Sequence, residues 1–183
     1  MERKERQTLS VLVDNESGVL SQVTRLFSRK GYNIESLAVG VTDDPNISRI
    51  TIEVLADQNH AELVCNQLRK LFPVHSVKVL EPSQSIRREL ALIKIAAKDS
   101  AVRNEIIQIA NVFRASIIDV AVGSLTIAII GNEDKMGAII RLLEPHGIME
   151  LVRTGMVALE RGNFTIDEYT KEKGEFNYGK NVL

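Results

Sequence analysis

The chain has 183 residues, 44% of them hydrophobic, and its 23 Lys and Arg against 24 Asp and Glu leave a formal net charge of −1. That balance lacks the clustered basic charge that neutralises nucleic-acid phosphates, and the single cysteine, Cys65, excludes an internal disulfide and a cysteine-rich metal site. No apolar run approaches the ~20 residues of a bilayer-crossing helix.

The charged start, MERKERQTLS, passes at once into strand residues and leaves no room for a secretory h-region or a Ser/Arg-rich transit peptide. A soluble, cytoplasmic protein in a reducing compartment is expected, or a stromal one where a plastid transit peptide has been removed. From Thr8 the residues alternate, with Leu9, Val11 and Val13 on one face, which is the period of a strand. The bend DNESG follows. Val19, Leu20, Val23, Leu26 and Phe27 then recur at helical spacing until Gly31 stops the helix. Tyr32 to Val41 reads as a second strand, Asp43-Asp44-Pro45-Asn46 as a turn, and Ile50, Ile52 and Val54 as a third strand. Ala61, Val64, Cys65, Leu68, Leu71 and Phe72 form a second helical stripe ended by Pro73, and Val74 to Leu80 is a fourth strand.

After a linker over residues 81–86 the order repeats. Leu90 to Ala97 is a strand, and Val102, Ile106, Ile109, Ala110 and Phe113 mark a helix. Ile117 to Val122 and Leu125 to Ile130 form a hairpin through Gly123-Ser124, followed by a helix with Met136, Ile139, Ile140 and Leu143. Pro145-His146-Gly147 breaks it, and Ile148 to Leu159 is extended, with an interruption at Gly155. The fold class is α+β: two consecutive ferredoxin-like βαββαβ sandwiches, over residues 1–80 and 87–161. Residues 162–183 form a tail with Phe164, Tyr169, Phe176 and Tyr178 but no sustained period, either a mobile end or a segment docking on a partner.

Each unit is small and leaves one sheet face uncovered by its own helices. The strand Leu9 to Val13 is apolar at all but Ser10, so both of its faces should meet something. Packing against another copy is therefore expected, which makes a homodimer the favoured state.

The residues of a self-sufficient catalyst are missing. His60, His75 and His146 are scattered, and there is no HExxH, paired CxxC, GxSxG, GxxxxGK[ST] or GxGxxG. Cys65 falls among Ala61, Val64 and Leu68 and reads as a core thiol.

The bend Asp14 to Leu20 admits two readings. Ser17 or Asn15 caps the helix and Gly18 merely makes the turn, or the helix start holds a ligand. Its unpaired N–H groups suit an anion, and Gly18 has no side chain to block approach. Asp14 and Glu16 would repel a multiply charged anion, so a single carboxylate on a zwitterion fits better. The N–H groups of Gly18, Val19 and Leu20 would take the carboxylate, and carbonyl acceptors such as the amides of Asn15 and Asn33 or a backbone C=O the ammonium. In GYNIESLAVG, plain alternation puts Ile34, Ser36, Ala38 and Gly40 on one face, leaving room for another backbone, a helix or a small apolar group.

The stretch NESGVLSQVTRLFSRKGYNIESLAVG, with TDDPNISRITI after it, closely resembles the N-terminal ACT domain of acetolactate synthase (acetohydroxyacid synthase) small, regulatory subunits. RRELALIKI, VFRASIIDV and VRTGMVALERG extend the resemblance to about Gly162. It implies a non-catalytic subunit that associates with the catalytic large subunit, raises its activity and confers feedback inhibition by a branched-chain amino acid, valine above all. It implies that thiamine diphosphate, FAD and magnesium belong to that partner and that this chain holds no cofactor or metal. It further implies an effector site between two ACT domains of a dimer, with Asn15, Gly18, Val19 and Leu20 facing Asn33 and Ile34 across the interface. The competing reading is a free-standing amino-acid sensor without an enzyme partner.

Overall fold

The computed structural model describes residues 5–166. Tyr169, Phe176 and Tyr178 of the tail lie outside the described residues. The first half forms β1 (Glu5–Asp14), α1 (Val19–Lys30), β2 (Ile34–Val41), β3 (Ile47–Ala56), α2 (Gln58–Leu68) and β4 (Val74–Leu80). The second forms β5 (Ser85–Ala96), α3 (Ser100–Val112), β6 (Ser116–Val120), β7 (Ser124–Gly131), α4 (Glu133–Leu143), β8 (Ile148–Arg153) and β9 (Val157–Glu160). The strands pair in the orders β2-β3-β1-β4 and β6-β7-β5-β8, every ladder antiparallel. Both sheets therefore have the ferredoxin-like arrangement.

The apolar stripes explain the two cores. Leu9, Val11 and Val13 of β1 meet Val23 and Phe27 of α1 and Ala61 and Cys65 of α2, all buried. Ala91, Ile93 and Ile95 of β5 meet Ile106, Ala110, Met136 and Ile139 in the same way. Burial pushes the Cys65 thiol up to about 12, so it stays a neutral packing group. Gly31 ends α1 in the left-handed conformation, with φ of 72°.

Several expectations need correction. The linker is a short 3-10 turn over Pro82–Gln84, and β5 starts at Ser85, five residues before the apolar alternation begins. Its first residues, Ser85 to Arg88, pair with β9 rather than with the second sheet. The extended run from Ile148 is interrupted around Gly155 as expected: Thr154 to Met156 separate β8 from β9, and Gly155 takes φ of 81°. The hairpin loop is Val122-Gly123, closed by the Ala121 N–H to Ser124 O bond, one residue earlier than expected. Helix α2 ends at Leu68, and Phe72 is 99% exposed. Pro73 disfavours helical geometry in the residue before it, which keeps Phe72 out of the stripe.

The larger correction concerns the open sheet face. Thr8, Ser10, Thr51, Glu53 and Ser76, on the face of the first sheet away from its helices, are all buried. The β5–β9 ribbon lies against β1 and β4 and covers them from within the same chain. Arg87 donates to Thr8 Oγ1 at 3.1 Å, Lys78 pairs with Glu160 at 2.5 Å, and Ser76 Oγ donates to Ile166 O at 2.9 Å. The buried outer face of β1 therefore does not call for a second copy. Exposed apolar surface remains on the edge strand β2, at Val39 and Val41, and on the second sheet, at Ile118, Ile130 and Val152.

The seam carries charge. Arg6 of β1 reaches Glu53 at 3.9 Å and Glu133, at the start of α4, at 3.1 Å. Burial pushes the Glu53 carboxyl above its ordinary range, opposed by Arg6, aided by Glu133, opposed by Arg87 and aided by Glu89. A carboxyl that is protonated more readily in the folded than in the unfolded chain contributes its full stability below the unfolded value. That stability is lost as pH rises through the folded value. Glu53→Gln should therefore gain on the wild type near pH 7, and the gain should vanish below about pH 4, where the carboxyl is neutral in both states. Urea unfolding of the two proteins at both pH values checks it.

Candidate functional site: the corner between β1 and α1

Three of the four α-helices among the described residues are closed at the start by a side chain. Asp57 accepts from His60 N–H at 2.8 Å, Asp99 from Val102 N–H at 2.9 Å, and Asn132 from Lys135 N–H at 3.2 Å. The bond from His60 N–H also holds the Asp57 carboxyl below its ordinary range. Helix α1 has no side-chain cap. Gly18 occupies the cap position with φ of 86°, left-handed backbone that glycine adopts without steric cost. The first intrahelical bond is Gln22 N–H to Gly18 O at 3.1 Å, and Val19 N–H makes only a long contact, 3.4 Å, to Glu16 O. The N–H groups of Val19, Leu20 and Ser21 thus open the helix without side-chain acceptors. A Cβ at Gly18 would meet nothing within 4 Å, so the approach is clear.

The capping reading is set aside by what Asn15 does instead. Its Nδ2 donates to Pro45 O at 2.9 Å, its Oδ1 accepts from Ser48 Oγ at 3.0 Å, and its backbone N–H donates to Asn46 O at 2.7 Å. Asn15 ties the corner to the β2–β3 turn and to β3. It holds the corner in place rather than offering a free carbonyl. Asp14 is likewise engaged, with His75 Nε2 at 2.5 Å. That leaves Glu16 as the exposed acid beside Gly18. Val19 turns its side chain into the core, so it offers only backbone, whereas Leu20 is 40% exposed.

Asn33 and Ile34 lie elsewhere. They follow the far end of α1, and a helix of 12 residues places them ~18 Å from Gly18 along its axis. Within one chain the structure does not bring the two groups together. Asn33 Nδ2 donates to Glu35 Oε1 at 2.7 Å, which leaves its Oδ1 available as an acceptor. Ile34 does not share a face with Ser36. A bulge sits between them, so Ile34 lies opposite Val54 on the core side while Ser36 lies opposite Glu53 on the seam side. The extra residue breaks the alternation from which a common face was inferred. Ser36, Ala38 and Gly40 do share a face, and it is turned toward the β5–β9 ribbon, where small residues admit another backbone.

The histidines are each held locally: His60 by Asp57 and edge-on to Tyr32, His75 by Asp14, and His146 by Glu105 at 3.8 Å. Ser48 and Pro45, which fix Asn15, were not legible in the sequence. They lie 33 and 30 residues away and are brought there by the pairing of β1 with β3.

Two family models divide the chain between them. Residues 9–76 match the ACT domain of acetohydroxyacid synthase small subunits, and residues 88–162 match the small subunit of acetolactate synthase. The chain belongs to the acetolactate synthase small-subunit family. An acetolactate synthase small subunit of Mycobacterium bovis is 48% identical over 155 residues, 85% of this chain and 92% of that one. A probable acetolactate synthase small subunit of Archaeoglobus fulgidus is 46% identical over 159 residues, 86% of this chain and 98% of the other. The crystal structure of an acetolactate synthase small subunit from Thermotoga maritima superposes with a TM-score of 0.81 at 37% identity, covering 87% of this chain and 99% of that one. Membership in this small-subunit family supports a regulatory, non-catalytic role in association with a catalytic large subunit. No helix among the described residues is long and apolar enough to cross a membrane.

Proposed function

We propose that this chain is the regulatory subunit that activates acetolactate synthase and makes it responsive to a branched-chain amino acid, with valine as the effector. The observation that carries the effector reading is the uncapped start of α1 at Gly18. Its N–H groups would bind the effector carboxylate. The free Oδ1 of Asn33 would accept from the ammonium, Leu20 would flank the aliphatic side chain, and Ile34, packed on the core side but only half-buried, would offer its exposed edge.

Because Gly18 and Asn33 sit at opposite ends of α1, one chain cannot supply both. Two copies related by a two-fold axis, with their β2 edges side by side, would set the corner of one against the start of β2 in the other. Val39 and Val41, exposed on that edge, supply apolar surface for such a contact. This is the basis for the homodimer.

The chemistry of condensing two 2-oxo acids would belong to the catalytic partner, with its thiamine diphosphate, FAD and magnesium. Valine would act by binding one arrangement of the complex more tightly than the other, a coupling of about 1–3 kcal/mol.

The test has two arms. Calorimetry with valine, leucine and isoleucine on the purified chain should show saturable binding, one effector per corner. The three should differ by about 1–3 kcal/mol, the value of a methylene or its placement. Added to the catalytic subunit, the chain should raise acetolactate formation and make it valine-sensitive. Valine binding without any stimulation of the catalytic subunit would favour the free-standing sensor.

A further inference from the structure

Resting on the effector reading above, we infer that the contact of Ser36 and Leu37 with Gly155 and Met156 carries the state of the effector site into the second half of the chain. Ser36 is a positioning residue in this scheme and does not touch the effector.

The route begins two residues from the site. Asn33 and Ile34 open β2, and Ser36 follows across the bulge. Ser36 Oγ accepts the Met156 N–H at 2.8 Å, the only hydrogen bond joining β2 to the second half among the described residues. Packing there leaves no slack. Gly155 stands so close that a Cβ on it would lie 2.8 Å from Ser36 Oγ and 3.1 Å from Leu37 O. Two backbones in contact pass a displacement on, because close-packed groups cannot absorb it.

Beyond this point the contact opens. Ala38, Gly40 and Val41 line one side of a groove of about 780 Å³, and Val157 to Glu160 of β9 line the other. The touch between β2 and the second half is therefore concentrated at the end of β2 nearest Asn33. The remaining anchors of the seam, Lys78–Glu160, Ser76–Ile166, Arg87–Thr8 and Arg6–Glu133, fall on β4 and β1. A shift of β2 would leave them undisturbed.

On the receiving side, Gly155 lies between β8 and β9. Thr154 is tied to β5 by its N–H to Leu90 O at 3.1 Å and by Leu90 N–H to its Oγ1 at 3.1 Å. A movement of Ser36 therefore reaches the second sheet through three residues, Thr154 to Met156.

The full chain reconstituted with the catalytic subunit provides the test, alongside valine calorimetry on the chain alone. Ser36→Ala removes the acceptor for the Met156 N–H. It should bind valine within about twofold of wild type and stimulate the catalytic subunit equally, yet lose valine inhibition or need at least about tenfold more valine for it. Ser36→Thr restores a hydroxyl and should restore inhibition, which a mere packing defect would not predict. Gly155→Ala attacks the same contact from the other side and should uncouple binding from inhibition in the same way. Wild-type inhibition in a Ser36→Ala chain that binds valine normally would overturn the inference. So would loss of valine binding by Ser36→Ala, since that would make Ser36 part of the site. No valine binding by the wild-type chain would instead overturn the effector reading beneath it.

Discussion

Gly18→Asp should abolish the response to valine while leaving the subunit folded and able to stimulate its catalytic partner. The fold tolerates the change because a Cβ at Gly18 meets nothing within 4 Å. Only the left-handed φ of 86° counts against it, at about 1 kcal/mol, and Asp is among the residues that bear that conformation best. The ligand does not tolerate it. The new carboxylate would stand where the effector's own carboxylate is expected, beside the exposed Glu16, and would itself accept from the first-turn N–H groups. Loss of charge-assisted hydrogen bonds and addition of a like charge together amount to about 3 kcal/mol, roughly a hundredfold in valine affinity. Calorimetry on the variant reads the binding, and the reconstituted assay reads the inhibition. Full valine sensitivity in Gly18→Asp would show that the corner is not the effector site. Gly18→Ala adds bulk without charge and should fall between the two.

The largest effect on stability is expected from Arg153→Ala. Glu89 of β5 is 3% exposed, and Arg153 of β8 grips it with two nitrogens, Nε to Oε2 at 2.9 Å and Nη2 to Oε1. That paired geometry raises the affinity of the Arg153 guanidinium for its proton, the hydrogen bond to Glu89 being the main cause. Removing the guanidinium leaves a buried carboxylate without its partner, a loss of about 3–5 kcal/mol. Because 40% of the Arg153 side chain is exposed, water can partly replace it, and about 3 kcal/mol is the expected value. Denaturant unfolding measures this. Glu89→Gln in the Arg153→Ala background should recover most of it by removing the orphaned charge. No recovery would mean that the loss comes from packing of the arginine stem rather than from the ion pair.

Local periodicity determined much of this protein by itself. Leu9, Val11 and Val13 at period two, and Val19, Val23, Leu26 and Phe27 at helical spacing, fix which faces are apolar. The same signals repeated after residue 90 and yielded the order of two α+β units. The unusual corner was legible too, since a glycine with flanking polar residues between a strand and a helix is a local feature. What Asn15 does with its amide was not legible, because Pro45 and Ser48 reach it only through the pairing of β1 with β3.

Tertiary structure alone decided how the halves meet. Ser85 and Ile86 read as linker, and Arg87 and Arg88 fall ahead of the strand expected from Leu90, because these four residues lack an apolar stripe. They are strand because β9, some seventy residues later, supplies their hydrogen bonds. That ribbon buries Thr8, Ser10 and Ser76, on a face that the apolar run Leu9 to Val13 marks for cover without naming what covers it. A one-residue bulge turned Ile34 to the core and Ser36 to the seam, since in a strand each added residue reverses the facing of those that follow. Sequence records which side chains prefer water. Only closure of long-range backbone pairing settles which of the others are covered, and by what.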